Sequence, residues 1–147
     1  MKTAAIEKVL LVIALLCPVI SSAGEKHMSV SPLSLTARAL IRQRMANHSK
    51  QMTALVWAVV FVDYRESAQL AKLIANEPRF ARPTTGDATE LNSALPPRFF
   101  ELQDQLRERA LRLEVDARMN DAGAMAKSYG ALAETCVACH DAYLSQR

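Results

Sequence analysis

The sequence predicts an all-α protein, an antiparallel four-helix bundle, on three observations. Glycine (4) and proline (6) are too few for a turn-rich sandwich or barrel. Apolar residues recur three and four positions apart over long stretches, the period of a helix buried on one face. Aromatic residues make up only 5% while Ala, Leu, Arg and Glu abound, a balance that leans helical. Half of the 147 residues are hydrophobic and 22% are charged, enough to build one core. The formal charge of +3 comes from interspersed signs with no clustered basic stripe, which argues against a nucleic-acid partner.

The elements follow in order. Residues 1–23 read as a secretory signal peptide, with Lys2 and Lys8 ahead of an apolar run, Val9 to Ile20, and small residues at Ser21-Ser22-Ala23. The run is short of the roughly 20 residues a membrane span needs. Bulky Leu16 before Cys17 argues against a lipidated cysteine. Cleavage after Ala23 leaves a mature chain, 24–147, without a membrane span and located in the periplasm. It loses Lys2, Lys8 and Glu7, so the formal charge falls from +3 to +2.

Residues 24–32 form a lead-in. A first helix begins near Leu35, with the stripe Ile41, Met45, His48, Met52, Leu55/Val56 and Val59, and runs into the apolar Val56–Val62 segment. Asp63 caps a second helix, about Tyr64 to Asn76, with Ala68, Ala71 and Ile74 inward. Glu77 to Gly86 is loop, and Asp87 to Leu95 holds a short turn. Pro96-Pro97 opens a third helix with the stripe Phe99, Leu102, Leu106, Ala110, Leu113 and Ala117. After a turn at Asn120–Gly123, a fourth helix runs from about Ala124 to Leu144, with Met125, Tyr129, Leu132, Cys136, Cys139/His140 and Tyr143 on one side.

The chemistry lies in Cys136-Val137-Ala138-Cys139-His140, the C-x-x-C-H signature of c-type haem attachment. On a helix, positions i and i+3 face the same way, so both sulfurs reach the two vinyl groups of one porphyrin. His140 then turns to the iron as proximal ligand. Loss of Cys17 with the signal peptide leaves Cys136 and Cys139 as the two cysteines of an exported chain, and covalent attachment of one haem c consumes both. A tetrahedral zinc site wants four ligands, and the remaining histidines, His27 and His48, are far off in the sequence. A thioredoxin-like pair belongs to an α/β pattern that this chain lacks.

With this motif on its last helix, the chain resembles the class II c-type cytochromes, the cytochrome c′ family. Cys136 to Leu144 is similar to the family's ending, and Ile41-Arg42-Gln43-Arg44 with His48 four residues on is similar to the stretch that packs on the distal haem face. The resemblance implies a four-helix bundle with haem on the C-terminal helix, often a homodimer, whose members carry electrons or bind small gases. It also implies Arg44 as partner of a haem propionate, a carboxylate that a guanidinium matches well. Arg42 and Arg98 are weaker candidates.

His48 departs from the family, where an apolar residue or Met commonly stands. The expected distal ligand is His48, with Met45 or Met52, or an open position, as alternatives. A methionine on an apolar stripe is ordinarily core filling. A core histidine without a partner is costly, a cost that an iron site removes.

Two functions from different classes follow: a six-coordinate electron carrier with redox proteins as partners, or a gas-binding protein in which NO or CO displaces the distal ligand. A peroxidase, the enzymatic reading, ranks last because nothing in the chain suggests substrate recognition. Trp57 lies nearly opposite His48 on the first helix, with Phe61 one turn on. A large apolar side chain there needs cover, which points to a homodimer through the first helix.

Overall fold

The computed structural model describes residues 35–84, 92–93 and 95–144. The expected signal peptide, the lead-in and most of the expected 87–95 turn lie outside the described residues. Four helices follow one another: α1 (Leu35–Val60), α2 (Tyr64–Ala75), α3 (Pro97–Arg118) and α4 (Ala122–Leu144). The described residues contain no strand, and the all-α expectation holds.

Local chemistry sets the boundaries. The Asp63 side chain accepts the Glu66 N–H at 2.9 Å and starts α2. Asn76 falls at the C-cap of α2 and not inside it. Pro97 occupies the first turn of α3, where its missing N–H is not needed. Asp121 accepts the Ala124 N–H at 2.9 Å, so α4 starts at Ala122, two residues earlier than the turn composition suggested. Both α1 and α3 end in paired carbonyl-capping bonds: Asp63 N–H to Ala58 and Val62 N–H to Val59 in one, Asp121 to Asp116 and Asn120 to Ala117 in the other. This motif needs a left-handed residue, here Val62 (φ 58°) and Asn120 (φ 54°). Asparagine suits the position, whereas a β-branched valine there costs about 1–2 kcal/mol.

The helices form a ring. Each packs on its sequence neighbours, the ring closes between α1 and α4, and the backbones of diagonal pairs stay further apart. Contacts at both ends of α3 make α3 and α4 antiparallel: Phe99 meets Tyr143 at one end and Asp116 meets Ser128 near the other. Buried alanines (Ala58, Ala71, Ala110 and Ala117) let the helices approach closely around Leu55, Leu113, Met125 and Leu132, and this half of the bundle is solid. A smaller apolar cluster, Leu95 and Phe100 with Ile41, Phe80 and Phe99 against them, closes the opposite end. Between the two clusters the bundle is hollow. The α1–α4 seam is the most sparsely packed of the four, which leaves the room.

The segment 77–84 runs from α2 across this hollow as a strap. Gln103 on α3 fastens it. Its Oε1 accepts the Phe80 N–H at 2.8 Å, and its Nε2 donates to the Phe80 carbonyl at 3.0 Å. Arg79 and Arg82 both reach Asp104, at 2.9 and 2.6 Å.

Candidate functional site: a hollow between α1 and α4

The hollow has a volume of about 610 Å³, within the range of cofactor pockets. Its walls are the apolar stripes of α1, α3 and α4, which on a bundle fully packed at this level would have met as core. Ile41, Met45, His48 and Met52 are all half-buried and line this space, Ile41 also packing against the Leu95–Phe100 cluster and Met52 against the main core. Every site residue expected from the sequence lines it: Cys136, Cys139 and His140 from α4, and Arg44, Met45, His48 and Met52 from α1.

On α4, the helical spacing sets Cys136 and Cys139 side by side on the wall, both half-buried and both with free thiols. Burial pushes both thiols above their ordinary range. His140, one position further round, lies at the rim and is exposed. Val137 between the cysteines also points outward, 67% exposed. Among the described residues no group of three or more His, Cys, Asp or Glu side chains converges as a metal cage would require. Two thiols and an imidazole on one edge of an apolar hollow suit a large planar group held along that edge.

Across the hollow, on α1, His48 is largely buried. Its Nε2 comes within 2.6 Å of Glu77 Oε2, both side chains being 18% exposed. The approach lacks hydrogen-bond alignment, so Nε2 counts among the buried polar atoms that have no hydrogen bond. An apolar-walled space with a buried imidazole nitrogen, beside one carboxylate, on one side and a Cys-x-x-Cys-His edge on the other fits a haem.

Arg44 lies with its guanidinium 4.0 Å from the centre of the Phe80 ring. Burial lowers its pKa and the nearby Glu77 carboxylate raises it. It carries no ion pair at close range among the described residues, unlike Arg79, which is held by Asp104. Arg42 is exposed and Arg98 is paired with Glu101 at 3.2 Å. Phe80, Phe99 and Tyr143 continue from Arg44 as edge-on ring contacts with centroids 5.7 and 5.9 Å apart. Tyr143 packs on this chain of rings.

Glu77 and Gln103 did not emerge from the sequence. Glu77 opens an irregular loop, and nothing local says that the loop folds back over α1. Gln103 follows Leu102 on α3 and reads as a polar flank of the stripe. Trp57, on the outer face of α1, and Phe61, just past its last residue, stack on each other, 5.7 Å apart and 12° from parallel, and stay 60% and 73% exposed. None of the helices among the described residues is long and apolar enough to cross a membrane.

A family model described as Cytochrome C′ matches residues 34–144. No curated protein and no solved structure matches the chain significantly.

Proposed function

The chain belongs to the cytochrome c′ family of haem-binding proteins, and from that premise we propose that it is an exported mono-haem c-type cytochrome that carries electrons. Cys136 and Cys139 hold one haem c through thioethers, His140 is the proximal ligand, and His48 is the distal ligand. The haem supplies a one-electron couple between ferric and ferrous iron. The observation that carries the reading is His48 Nε2, buried on the wall facing the α4 motif and without a hydrogen bond. Met45 and Met52 flank His48 one turn to either side and are the alternative distal ligands.

The residues around the site do the rest. The apolar walls of Ile41, Met52, Phe99 and Leu106 would keep water from a bound haem. Arg44, with its charge uncommitted, partners a propionate. Two protein ligands leave no position for a substrate, which fits a carrier and not an enzyme. Residues 1–23 direct the chain to the periplasm, where it meets redox partner proteins. The stacked and exposed Trp57 and Phe61 supply the contact of a homodimer through α1.

A second reading, reversible binding of NO or CO, is favoured by one contact. Glu77 offers His48 a neighbour other than iron, so a gas that displaces the imidazole leaves it beside a carboxylate.

The test is His48→Leu in cells competent for cytochrome maturation. Wild type should be red, carry the mass of one haem on residues 24–147, and give low-spin ferric absorption and paramagnetic resonance spectra. H48L should turn high-spin. A wild type with a methionine-type charge-transfer band, or an H48L variant that stays low-spin, would remove His48 from the iron. Colourless protein without added mass would remove the whole reading.

A further inference from the structure

Glu77 is the one acidic side chain on the wall of the hollow among the described residues. It stands with its carboxylate oxygen 2.6 Å from the nitrogen that the proposed function turns toward the iron. The contact is an ion-pair approach and not a hydrogen bond, and it sets a carboxylate beside that nitrogen. The placement is built. Gln103 grips both backbone groups of Phe80, three residues further along the strap, and Arg79 and Arg82 tie the same strap to Asp104. With 18% of its side chain exposed, Glu77 is shielded from most of the water that would screen it. Arg44, on the α1 side, interacts with the Glu77 carboxylate through charge, and its guanidinium is set over Phe80. Arg79 is neutralised by Asp104. Arg107, on the α3 wall, has no ion pair among the described residues.

We propose that Glu77 sets the reduction potential of this cytochrome by holding a fixed negative charge on the distal side. The inference rests on the reading of His48 as distal ligand. Uptake of one electron from a reduced mediator lowers the charge opposite Glu77 by one unit, with no bond made or broken. A carboxylate there stabilises the oxidised, more positive state and opposes that uptake. A single charge in a largely dehydrated site shifts such an equilibrium by tenfold or more across several ångströms. Gln103 and Asp104 are positioning residues in this scheme, since they hold the strap that delivers Glu77.

The experiment is a potentiometric titration of the haem-loaded wild type, Glu77→Gln and Glu77→Asp, with spectra recorded in both oxidation states. E77Q should favour reduction by at least tenfold, which for one electron is about 59 mV upward, with its low-spin spectrum unchanged. E77D keeps the charge and should stay near wild type. An E77Q potential equal to or below wild type, an equal rise in E77D, or a rise accompanied by a change of ligand or spin state would overturn the inference. Its failure is read in the potential at constant spin state, whereas failure of the His48 reading is read in the spin state of H48L.

Discussion

Removing the Gln103 side chain tests whether the strap is fastened where the structure places the bonds. In Gln103→Ala the Phe80 backbone loses an acceptor at 2.8 Å and a donor at 3.0 Å, both in partly buried surroundings. A typical hydrogen bond contributes about 1 kcal/mol net, so the pair is worth about 2 kcal/mol. The free energy of opening the strap falls by that amount, which is roughly thirtyfold in the open population. The Asp104 fastening should count for much less. Asp104, Arg79 and Arg82 are 45%, 44% and 56% exposed in their side chains, and two such exposed pairs at less than about 0.5 kcal/mol each come to less than about 1 kcal/mol together. Amide hydrogen exchange of Phe80 in the haem-loaded protein reads the opening directly. Q103A should speed it roughly thirtyfold and Asp104→Asn less than about fivefold, while the amides of Leu113 and Leu132 in the solid half hold their rates. A Q103A rate within about threefold of wild type, or a D104N effect as large as that of Q103A, would show that the strap is held by something else.

Two further expectations concern the rest of the molecule. The Ser128 hydroxyl, followed by Arg112, holds the Asp116 carboxyl below the usual range, against the opposing effect of burial. A carboxyl with a lowered folded-state pKa stabilises the fold above its unfolded value, about 3.9, and that contribution drains away as pH falls toward the folded value. Ser128→Ala should therefore lower stability by about 1–2 kcal/mol at pH 7 and show a shallower loss on acidification below pH about 4, measured by urea titration. An acid limb as steep as wild type would refute that role. Trp57→Lys should convert a dimer to a monomer in light scattering with the haem spectrum unaltered. A wild type already of one-chain mass would end the dimer proposal.

Much of the fold was legible because the periods are long and the boundaries carry cap chemistry. Asp63, Pro97 and Asp121 start helices for reasons visible in the residues themselves. The paired cysteines and His140 announce their chemistry by spacing alone, and His48 stood out as a polar side chain within an apolar stripe. The strap was not legible. A stretch such as Glu77–Thr84 has no period, and its path is set by bonds to Gln103 and Asp104, some twenty residues further along the chain. Glu77 meets His48 only because that path closes over α1. Val62 gave no warning either, since its left-handed backbone follows from the capping bonds at the end of α1 and runs against the preference of the side chain. The hollow follows from the stripes only in retrospect. Periodicity says which faces turn inward, not how far apart they are held.

The uneven filling of the bundle has a consequence for how the chain is kept. Its closed half is complete in its own side chains, while the hollow between the two apolar clusters is left for the haem. A chain that never acquires haem therefore retains a sound scaffold with a poorly supported stretch beside the smaller cluster. That stretch contains the attachment residues on α4. Fraying there would expose them to proteases before the rest of the molecule loosened, so unfinished copies would be cleared by the same geometry that makes finished ones durable.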